Sequence, residues 1–351
     1  MPERWLDRGV TALRADVCQV QSTREETVLL FGTQLRENRA KLERRIVLTP
    51  AMAKQLAAGL AGTMQEYEAQ LNATPAGGIQ SAASDSDAPA GARRMLALVQ
   101  GLNVGFGFEK SFKMGEASLL ADRVILGVRT ALAGKGPLLG VCRGIGMPDG
   151  HLQQFEAMLG QANTVGFGFE GGPAGGVYKV YLEFWDGLVQ RLRSEPGNVQ
   201  PALLFLGFKW AAKGPAKAAV ARYTCHPLLS VAGIARRLDA LYEGRSDGPS
   251  LRATHDILQL AARRVGNDSF VYVEAAEEGN PRKSFDLNLY KARLRVDELR
   301  PMLSPLAQRY AIDGLDNVYG EAGALRFGHL SGGLGRDGRD FLTVYYEIEG
   351  L

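Results

Sequence analysis

Cationic, aromatic and acidic side chains recur at alternate positions in several segments that are predicted to form β-strands. Alternate residues of a strand project from the same face of a sheet, so these side chains should share one polar face. The face offers cations (Lys113, Arg123, Lys179, Lys209, Arg222), tyrosines (Tyr181, Tyr290, Tyr345) and acids (Glu109, Glu170, Glu183, Asp286, Glu347).

This combination of side chains suits one kind of chemistry in particular. Several cations that converge from different strands would hold a di-anion such as a diphosphate. Tyrosine rings around it could stabilise a carbocation, each by about 1 kcal/mol or more where water is excluded. A lone carboxylate nearby could accept a proton as a general base. The set therefore fits allylic diphosphate chemistry, and other anionic ligands would fit it as well.

The clearest of these segments runs from residue 164 to residue 184 and predicts a β-hairpin. Two alternating stretches flank a Gly-Gly-Pro-Ala-Gly-Gly turn. In the second stretch Lys179, Tyr181 and Glu183 alternate with apolar residues. A strand with two such different faces is expected to separate an apolar layer from a polar space.

Five hairpins of this kind are predicted between residue 95 and the C-terminus. In chain order they pair VGFGFEKSFKM with SLLADRVILGV, VGFGFE with VYKVYLEF, LLFLGFKW with AAVARYTC, FVYVEAA with SFDLNLY, and LRFGHLS with DFLTVYYEI. Amphipathic helices are predicted in the segments HLQQFEAML, LLSVAGIARRLDALY, LRATHDILQLAARRV and VDELRPMLSPLAQRY.

Ten strands with helices between the hairpins predict an α+β fold, a ten-stranded antiparallel closed β-barrel of five hairpins surrounded by helices. The helices would cover the apolar outer face, and the polar face would line a chamber. A barrel of about ten strands is too wide for its own side chains to fill, so the chamber would hold solvent or a ligand. The alternative is an open sheet whose polar face meets bulk water.

Residues 1–72 are predicted to form a separate small β-β-β-α domain. Its strands are ADVCQVQ, ETVLLFGTQL and KLERRIVLTP, and a helix follows from Thr49, the cap, and Pro50 to about Gln70. The strings RRIVLTPAMAKQLAAGL and MQEYEAQL resemble a small bacterial domain of unknown function over residues 15–72. Residues 73–93 are small and polar and predict a flexible linker of about 25 Å, so that residues 94–351 form the barrel domain.

Composition narrows the possible functions. The net charge of +3 is too small to indicate nucleic acid, and 46% hydrophobic with 23% charged residues is ordinary for a globular protein. No apolar segment has the length of a signal peptide or a membrane span, which predicts a cytoplasmic protein with no membrane partner. The three cysteines and four histidines show no CxxC, HxxxH or HExxH spacing, so neither disulfides nor a zinc site is predicted.

Several strings carry a resemblance to a known family. FEKSFKMGEASLLADRVILGV, then HLQQF with Leu159-Gly160, then VGFGFE and YKVYLEF resemble the cyanobactin-type peptide prenyltransferases. These are barrel-shaped enzymes with an alternating α-β-β-α arrangement. The resemblance spans residues 95–351. It implies transfer of a prenyl group from dimethylallyl, geranyl or longer diphosphate, assisted by Mg2+, to a side chain or terminus of a peptide, possibly cyclic.

The same resemblance implies roles for individual residues. Glu109 would take the proton from the nucleophile or orient it, and Arg123 would grip the diphosphate. Lys179 would bind the diphosphate, and Tyr181 would shield the allyl group. Further residues are expected to bind the diphosphate (Lys113, Arg222) or to line the prenyl pocket (Tyr290, Tyr345), and no residue is expected to bind a metal directly.

Other polar groups favour plainer interpretations. Glu170 abuts Gly171-Gly172 and is predicted to be a turn residue rather than a second base. His329 is predicted to be a structural hairpin residue. GVCRGIG is predicted to be a glycine-rich connector and SGGLGRDGR a hairpin turn, because no P-loop string is present.

Two departures from the family leave the substrate open. The N-terminal domain is additional, and the helical segment before the first hairpin is short, about ARRMLALVQG. An alternative function is a non-catalytic barrel that binds a peptide or an anionic small molecule, with the N-terminal domain as an adaptor. In a third, the N-terminal domain is the main functional part and mediates oligomerisation, and the barrel docks a partner.

Overall fold

The computed structural model describes residues 17–22, 26–36, 39–49, 51–54, 89–172, 175–194, 200–213, 218–243, 248–265, 270–277 and 279–349. The chain divides into two compact units, Met1–Gly78 and Ile79–Leu351. Of the helices in these described ranges, none is both long and apolar enough to cross a membrane.

The first unit contains the three predicted strands as an antiparallel sheet. They are β1 (Val17–Ser22), β2 (Thr27–Arg36) and β3 (Arg39–Leu48), in that order. Residues 51–54 are helical, and the backbone N–H of Met52 donates to Thr49 Oγ1 over 3.3 Å, as expected of a cap. The remainder of the predicted helix, to Gln70, lies outside the described residues.

The second unit is the predicted closed barrel. Ten strands pair in chain order, each antiparallel to its neighbours, and β13 pairs with β4 to close the ring. The open-sheet alternative is therefore wrong. The strands are β4 (Gly107–Gly115), β5 (Ser118–Arg129), β6 (Thr164–Glu170), β7 (Val177–Glu183), β8 (Ala202–Ala211), β9 (Ala219–His226), β10 (Val271–Glu277), β11 (Lys283–Asn288), β12 (Phe327–Leu334) and β13 (Asp340–Glu349).

Helices cover the outer face of the barrel. They are α1 (Ala90–Gln100), α2 (Thr130–Ala133), α3 (Lys135–Gly144), α4 (Asp149–Leu159), α5 (Trp185–Ser194), α6 (Val231–Leu241), α7 (Pro249–Val265), α8 (Arg300–Arg309) and α9 (Leu315–Ala322), with 3-10 turns at Tyr290–Ala292 and Val296–Leu299. The helices predicted between the hairpins are all present. Residues 90–93, expected to belong to the linker, instead form the first turn of α1. Residues 73–88 are not described.

The prediction that GVCRGIG is a glycine-rich connector is wrong, because most of this segment forms the end of α3. This helix buries an apolar face made of Leu138, Leu139, Val141 and Cys142. Its last residue, Gly144, lies so close to α1 that a Cβ there would be 2.7 Å from Leu98. Glycine at this position therefore serves close helix packing.

Alternation along the strands separates the core from the chamber. In β7, Tyr178, Val180 and Leu182 are buried against the helices, and the residues between them face the interior. A small apolar cluster brings Leu188 of α5 against Cys225 of β9. All five hairpin turns lie at one end of the barrel and the helical connections at the other, because neighbouring strands run in opposite directions.

Candidate active site

A cavity of about 740 Å3 occupies the interior of the barrel. Its polar lining changes along the strands. The cations lie toward the hairpin turns, with Glu170 and Asp337 among them, and the acids Glu109, Glu183 and Asp286 lie toward the helical connections. Seven of the eight residues predicted to form the site line this cavity, namely Glu109, Lys113, Arg123, Lys179, Tyr181, Tyr290 and Tyr345.

The eighth, Arg222, was placed wrongly. It is exposed, and its cross-strand neighbours are Leu206 and Ala276. Leu206 packs in the core outside the barrel, and residues paired across a sheet share a face, so Arg222 projects outward. The prediction took the polar residues of β9 as its inner face, whereas the amphipathic Tyr223 is the residue that faces the cavity.

One group of cations surrounds Glu170. The Arg123 guanidinium pairs with this carboxylate, and Lys179 Nζ lies 2.5 Å from its Oε2. Arg123 Nε also donates to Ser111 Oγ over 3.1 Å. Glu170 ends strand β6 and lines the cavity, so its interpretation as a turn residue is wrong. It was misread because the two glycines that follow it suggested an earlier end to the strand.

A second group of cations surrounds Glu277. Lys209 Nζ lies 2.9 Å from its Oε1, Arg282 Nη1 2.8 Å from the same oxygen, and Arg336 Nε 2.6 Å from Oε2. Glu277 is only 2% exposed, so these contacts are well shielded from water. Arg282 and Arg336 belong to hairpin turns, where no alternation exists to indicate which way a side chain points.

Burial among like charges shifts the pKa values of the lysines. Burial lowers the pKa of Lys179 to about 7, although Glu170 acts against it. Burial, followed by the charge of Arg282, lowers the pKa of Lys209 to about 7. Burial would raise the pKa of Glu170, but Lys179 and Arg123 outweigh it and hold that pKa well below its ordinary value.

The hairpin-turn end of the cavity carries an excess of positive charge. Its cations are Lys113, Arg123, Lys179, Lys209, Arg282 and Arg336. Its carboxylates are Glu170 and Asp337, which line the cavity, and Glu277, which pairs with three of the cations. The ammonium of Lys113 lies 4.5 Å from the centre of the Phe341 ring. Such an end can accept a multiply charged anion, because its cations are already fixed in place by their carboxylates.

Aromatic rings occupy the middle of the cavity. Tyr181 and Tyr223 meet edge to face with ring centres 5.8 Å apart, and Phe205 approaches Tyr223 at 6.1 Å. The ring of Tyr181 lies over Gly207, where a Cβ would be 3.0 Å from it. Burial raises the pKa of Tyr181 well above its ordinary value, so its phenol stays neutral. These rings present π faces in a space with little water.

Toward the helical connections, Glu109 is held by two partners. Tyr290 donates its hydroxyl hydrogen to Glu109 Oε1, and His329 Nε2 lies 3.5 Å from Oε2. His329 Nδ1 lies 2.8 Å from Asp286 Oδ2, and the imidazole stacks on Tyr345 at 3.9 Å. His329 therefore lines the chamber, a position that its prediction as a structural hairpin residue missed. Its place in β12, two residues before Ser331, which also lines the cavity, was the available signal.

Magnesium has no evident protein site in this chamber. Among the described residues, no three His, Cys, Asp or Glu side chains lie together so that they could hold a metal ion. Glu170 and Glu277, beside the cations, are already engaged in ion pairs. The residues present do not fit a protein-bound Mg2+, and the chemistry below includes no step through one.

One comparison with known proteins concerns the first unit. A family model described as "Protein of unknown function (DUF3467)" matches residues 4–73. No curated protein matches the chain.

Solved structures are similar to most of the chain at low sequence identity. 5-Dimethylallyl tryptophan synthase from Streptomyces coelicolor, in complex with DMASPP and Trp, is 16% identical, with 77% of this chain and 92% of that chain covered and a TM-score of 0.52. 6-Dimethylallyltryptophan synthase from Micromonospora olivasterospora is 18% identical over 69% and 81% of the two chains, with a TM-score of 0.45. AnaPT from Neosartorya fischeri is 13% identical over 70% and 80%, with a TM-score of 0.44.

The first of these comparisons defines the class of fold. This chain has the same closed-barrel fold as 5-dimethylallyl tryptophan synthase, at 16% identity. The cyanobactin-type subfamily is not represented among these neighbours.

Proposed function

We propose that the chain transfers a prenyl group from an allylic diphosphate to a peptide. One observation carries the proposal: a cationic end, a tyrosine-rich middle and the carboxylate of Glu109 follow one another along the inside of one closed barrel. Further support comes from the similar fold of a synthase whose structure holds DMASPP and Trp.

In the proposed reaction the bond between the allylic carbon and the diphosphate oxygen breaks. Its electron pair leaves with the diphosphate, whose added charge is stabilised by Arg123, Lys179 and the cations around Glu277. The rings of Tyr181 and Tyr345 screen the allyl cation from water. A nucleophilic atom of the acceptor bonds to the allylic carbon, and Glu109 takes up the proton that this atom loses.

The acceptor is proposed to be a side chain or terminus of a peptide. The strings from FEKSFKM to YKVYLEF support a peptide, and the cavity volume lies in the upper part of the usual range of about 300–1,000 Å3 for ligand sites. Free tryptophan is the competing acceptor. A panel of linear and cyclic peptides and free tryptophan, each incubated with dimethylallyl and geranyl diphosphate, would be analysed by mass spectrometry for the added prenyl mass. Product from tryptophan alone would overturn the peptide assignment.

The role of Glu109 is tested by Glu109→Gln, which keeps the size of the side chain and an acceptor for Tyr290. We expect turnover to fall by about 100-fold or more, with diphosphate binding nearly unchanged, because Glu109 lies away from the cations. Binding would be measured by calorimetry and turnover by product formation. Glu156→Gln, which alters an exposed pair with Lys135 outside the barrel, is the control.

The outcomes separate catalysis from simple binding. Wild-type turnover in Glu109→Gln would show that Glu109 is not the base. Diphosphate binding by the wild-type protein without product from any acceptor would favour the non-catalytic barrel.

A further inference from the structure

Each oxygen of the Glu109 carboxylate contacts one polar side chain, and only one of these two partners can carry a charge. Tyr290 donates a neutral hydroxyl to Oε1, and His329 approaches Oε2 at 3.5 Å. A general base needs to be ionised and correctly aimed before its substrate arrives. The histidine is therefore the charged contact that can hold the carboxylate in the required orientation.

Three contacts fix the His329 ring. Asp286 Oδ2 lies 2.8 Å from Nδ1, and Glu109 Oε2 lies 3.5 Å from Nε2. Tyr345 stacks on the ring face with an interplanar angle of 11°. With carboxylates at both nitrogens, each nitrogen is placed to donate a hydrogen bond, as only the charged imidazolium can. The side chain is 16% exposed, so solvent screens these interactions little.

The geometry points to His329, backed by Asp286, as a positioning residue that orients Glu109 for proton removal. This inference rests on the proposed prenyl transfer. Through its stacking, His329 also holds the ring of Tyr345 against the centre of the cavity. Asp286 has no contact with the proposed reacting atoms and acts only through the histidine.

Electrostatics around the ring agree with this arrangement. Burial would lower the pKa of His329, but Asp286 and Glu109 outweigh it and raise that pKa well above its ordinary value. The other titratable groups that face this corner are Tyr290, Tyr345 and the acids Glu183 and Glu347. Arg326 also lies near this corner, where it pairs with Glu347 over 3.4 Å and lies 5.6 Å from the centre of the Tyr290 ring.

The kinetic test replaces the charge while retaining a hydrogen-bond donor. In His329→Gln, we expect kcat to fall by about tenfold, because the carboxylate of Glu109 loses its charged contact on Oε2. The KM for the diphosphate should stay unchanged, since the cations proposed to bind it lie at the other end. Asp286→Asn should lower kcat in the same way, because the imidazole loses the charged partner that holds Nδ1.

A matched control uses another histidine–carboxylate pair. His255 Nε2 lies 2.8 Å from Asp239 Oδ1 on the outside of the barrel. His255→Gln should leave kcat as in the wild type. A wild-type kcat in both His329→Gln and Asp286→Asn would overturn the inference.

A second measurement needs no turnover. The chain has four histidines, so 15N NMR with single substitutions identifies the His329 signals. We expect a ring protonated on both nitrogens at pH 7, and a lower pKa of His329 in Glu109→Gln and in Asp286→Asn. A neutral His329 ring at pH 7 would overturn the inference even if prenyl transfer is observed. A charged ring that responds to Glu109→Gln, in a protein that transfers no prenyl group, would uphold the pair and reject the function.

Discussion

Lys179 and Lys209 are the residues of the chamber whose charge is expected to respond to a bound anion. Both side chains are largely buried beside a carboxylate, and both have a pKa of about 7. Each is therefore only partly charged at neutral pH in the absence of a ligand. A diphosphate placed between them would favour the ammonium form of both, so that its binding takes up protons.

This uptake predicts how diphosphate affinity depends on pH. Below pH 7 both lysines are charged and affinity should be high; as pH rises through about 7 they lose their protons, and the Kd should increase by up to about tenfold per pH unit for each proton taken up. Calorimetry of diphosphate binding between pH 6 and 9, in buffers of different ionisation enthalpy, would measure the Kd and the number of protons taken up. Lys209→Met should weaken binding and flatten the curve, whereas Lys135→Met, in an exposed pair, should not. A Kd that is constant over this range would contradict the argument.

Three strands each contribute a glycine to the same stretch of chamber wall. Gly107 pairs with Gly127, and Gly127 with Gly166, across β4, β5 and β6. Packing does not require glycine there. A Cβ on Gly127 would meet only Thr164, at 3.8 Å, and one on Gly166 would have its nearest contact with Tyr181, at 3.5 Å. The missing side chains therefore leave room in the chamber, beside Glu109 and Tyr181.

That room predicts a limit on substrate size. In Gly127→Val we expect the barrel to fold normally and diphosphate to bind, while transfer from geranyl diphosphate falls about tenfold more than transfer from dimethylallyl diphosphate, in proportion to the space removed. Competition between the two donors, followed by mass spectrometry, gives the ratio directly. Gly140→Val, on helix α3 with no neighbour within 4 Å, controls for the cost of replacing a glycine. An equal loss of transfer with both donors would show that the longer chain of geranyl diphosphate does not occupy the space beside Gly127.

The strands and the helices between hairpins could be predicted because their signals are local. Lys179 and Tyr181 follow from alternation within a single strand. Arg282 could not be predicted in the same way, because it lies in a turn, and Arg222 was misplaced because both it and Tyr223 are amphipathic. The contact of His329 with Glu109 joins residues far apart in the chain and has no local signature.

At the scale of the molecule, closure of the barrel depends on one long-range pairing. Strand β13 pairs with β4 over eight residue pairs, from Phe341 with Gly115 to Glu349 with Phe108. The ring is complete with strands that lie between residues 107 and 349, so none of β1 to β3 takes part in it. Closed sheets have no free edge to be completed by another segment.

The barrel unit is therefore expected to fold without the first unit. A chain that begins at residue 79 should show a cooperative thermal transition and be stabilised by dimethylallyl diphosphate to the same extent as the full chain, because every strand of the ring and every cation of the chamber lies within Ile79–Leu351. Circular dichroism would follow unfolding, and thermal shift with and without diphosphate would report ligand binding in the chamber. If the shortened chain folds and binds diphosphate but no longer modifies a peptide that the full chain accepts, the first unit acts in peptide capture. Failure of the shortened chain to unfold cooperatively would show that the ring, although closed, depends on the first unit for its stability.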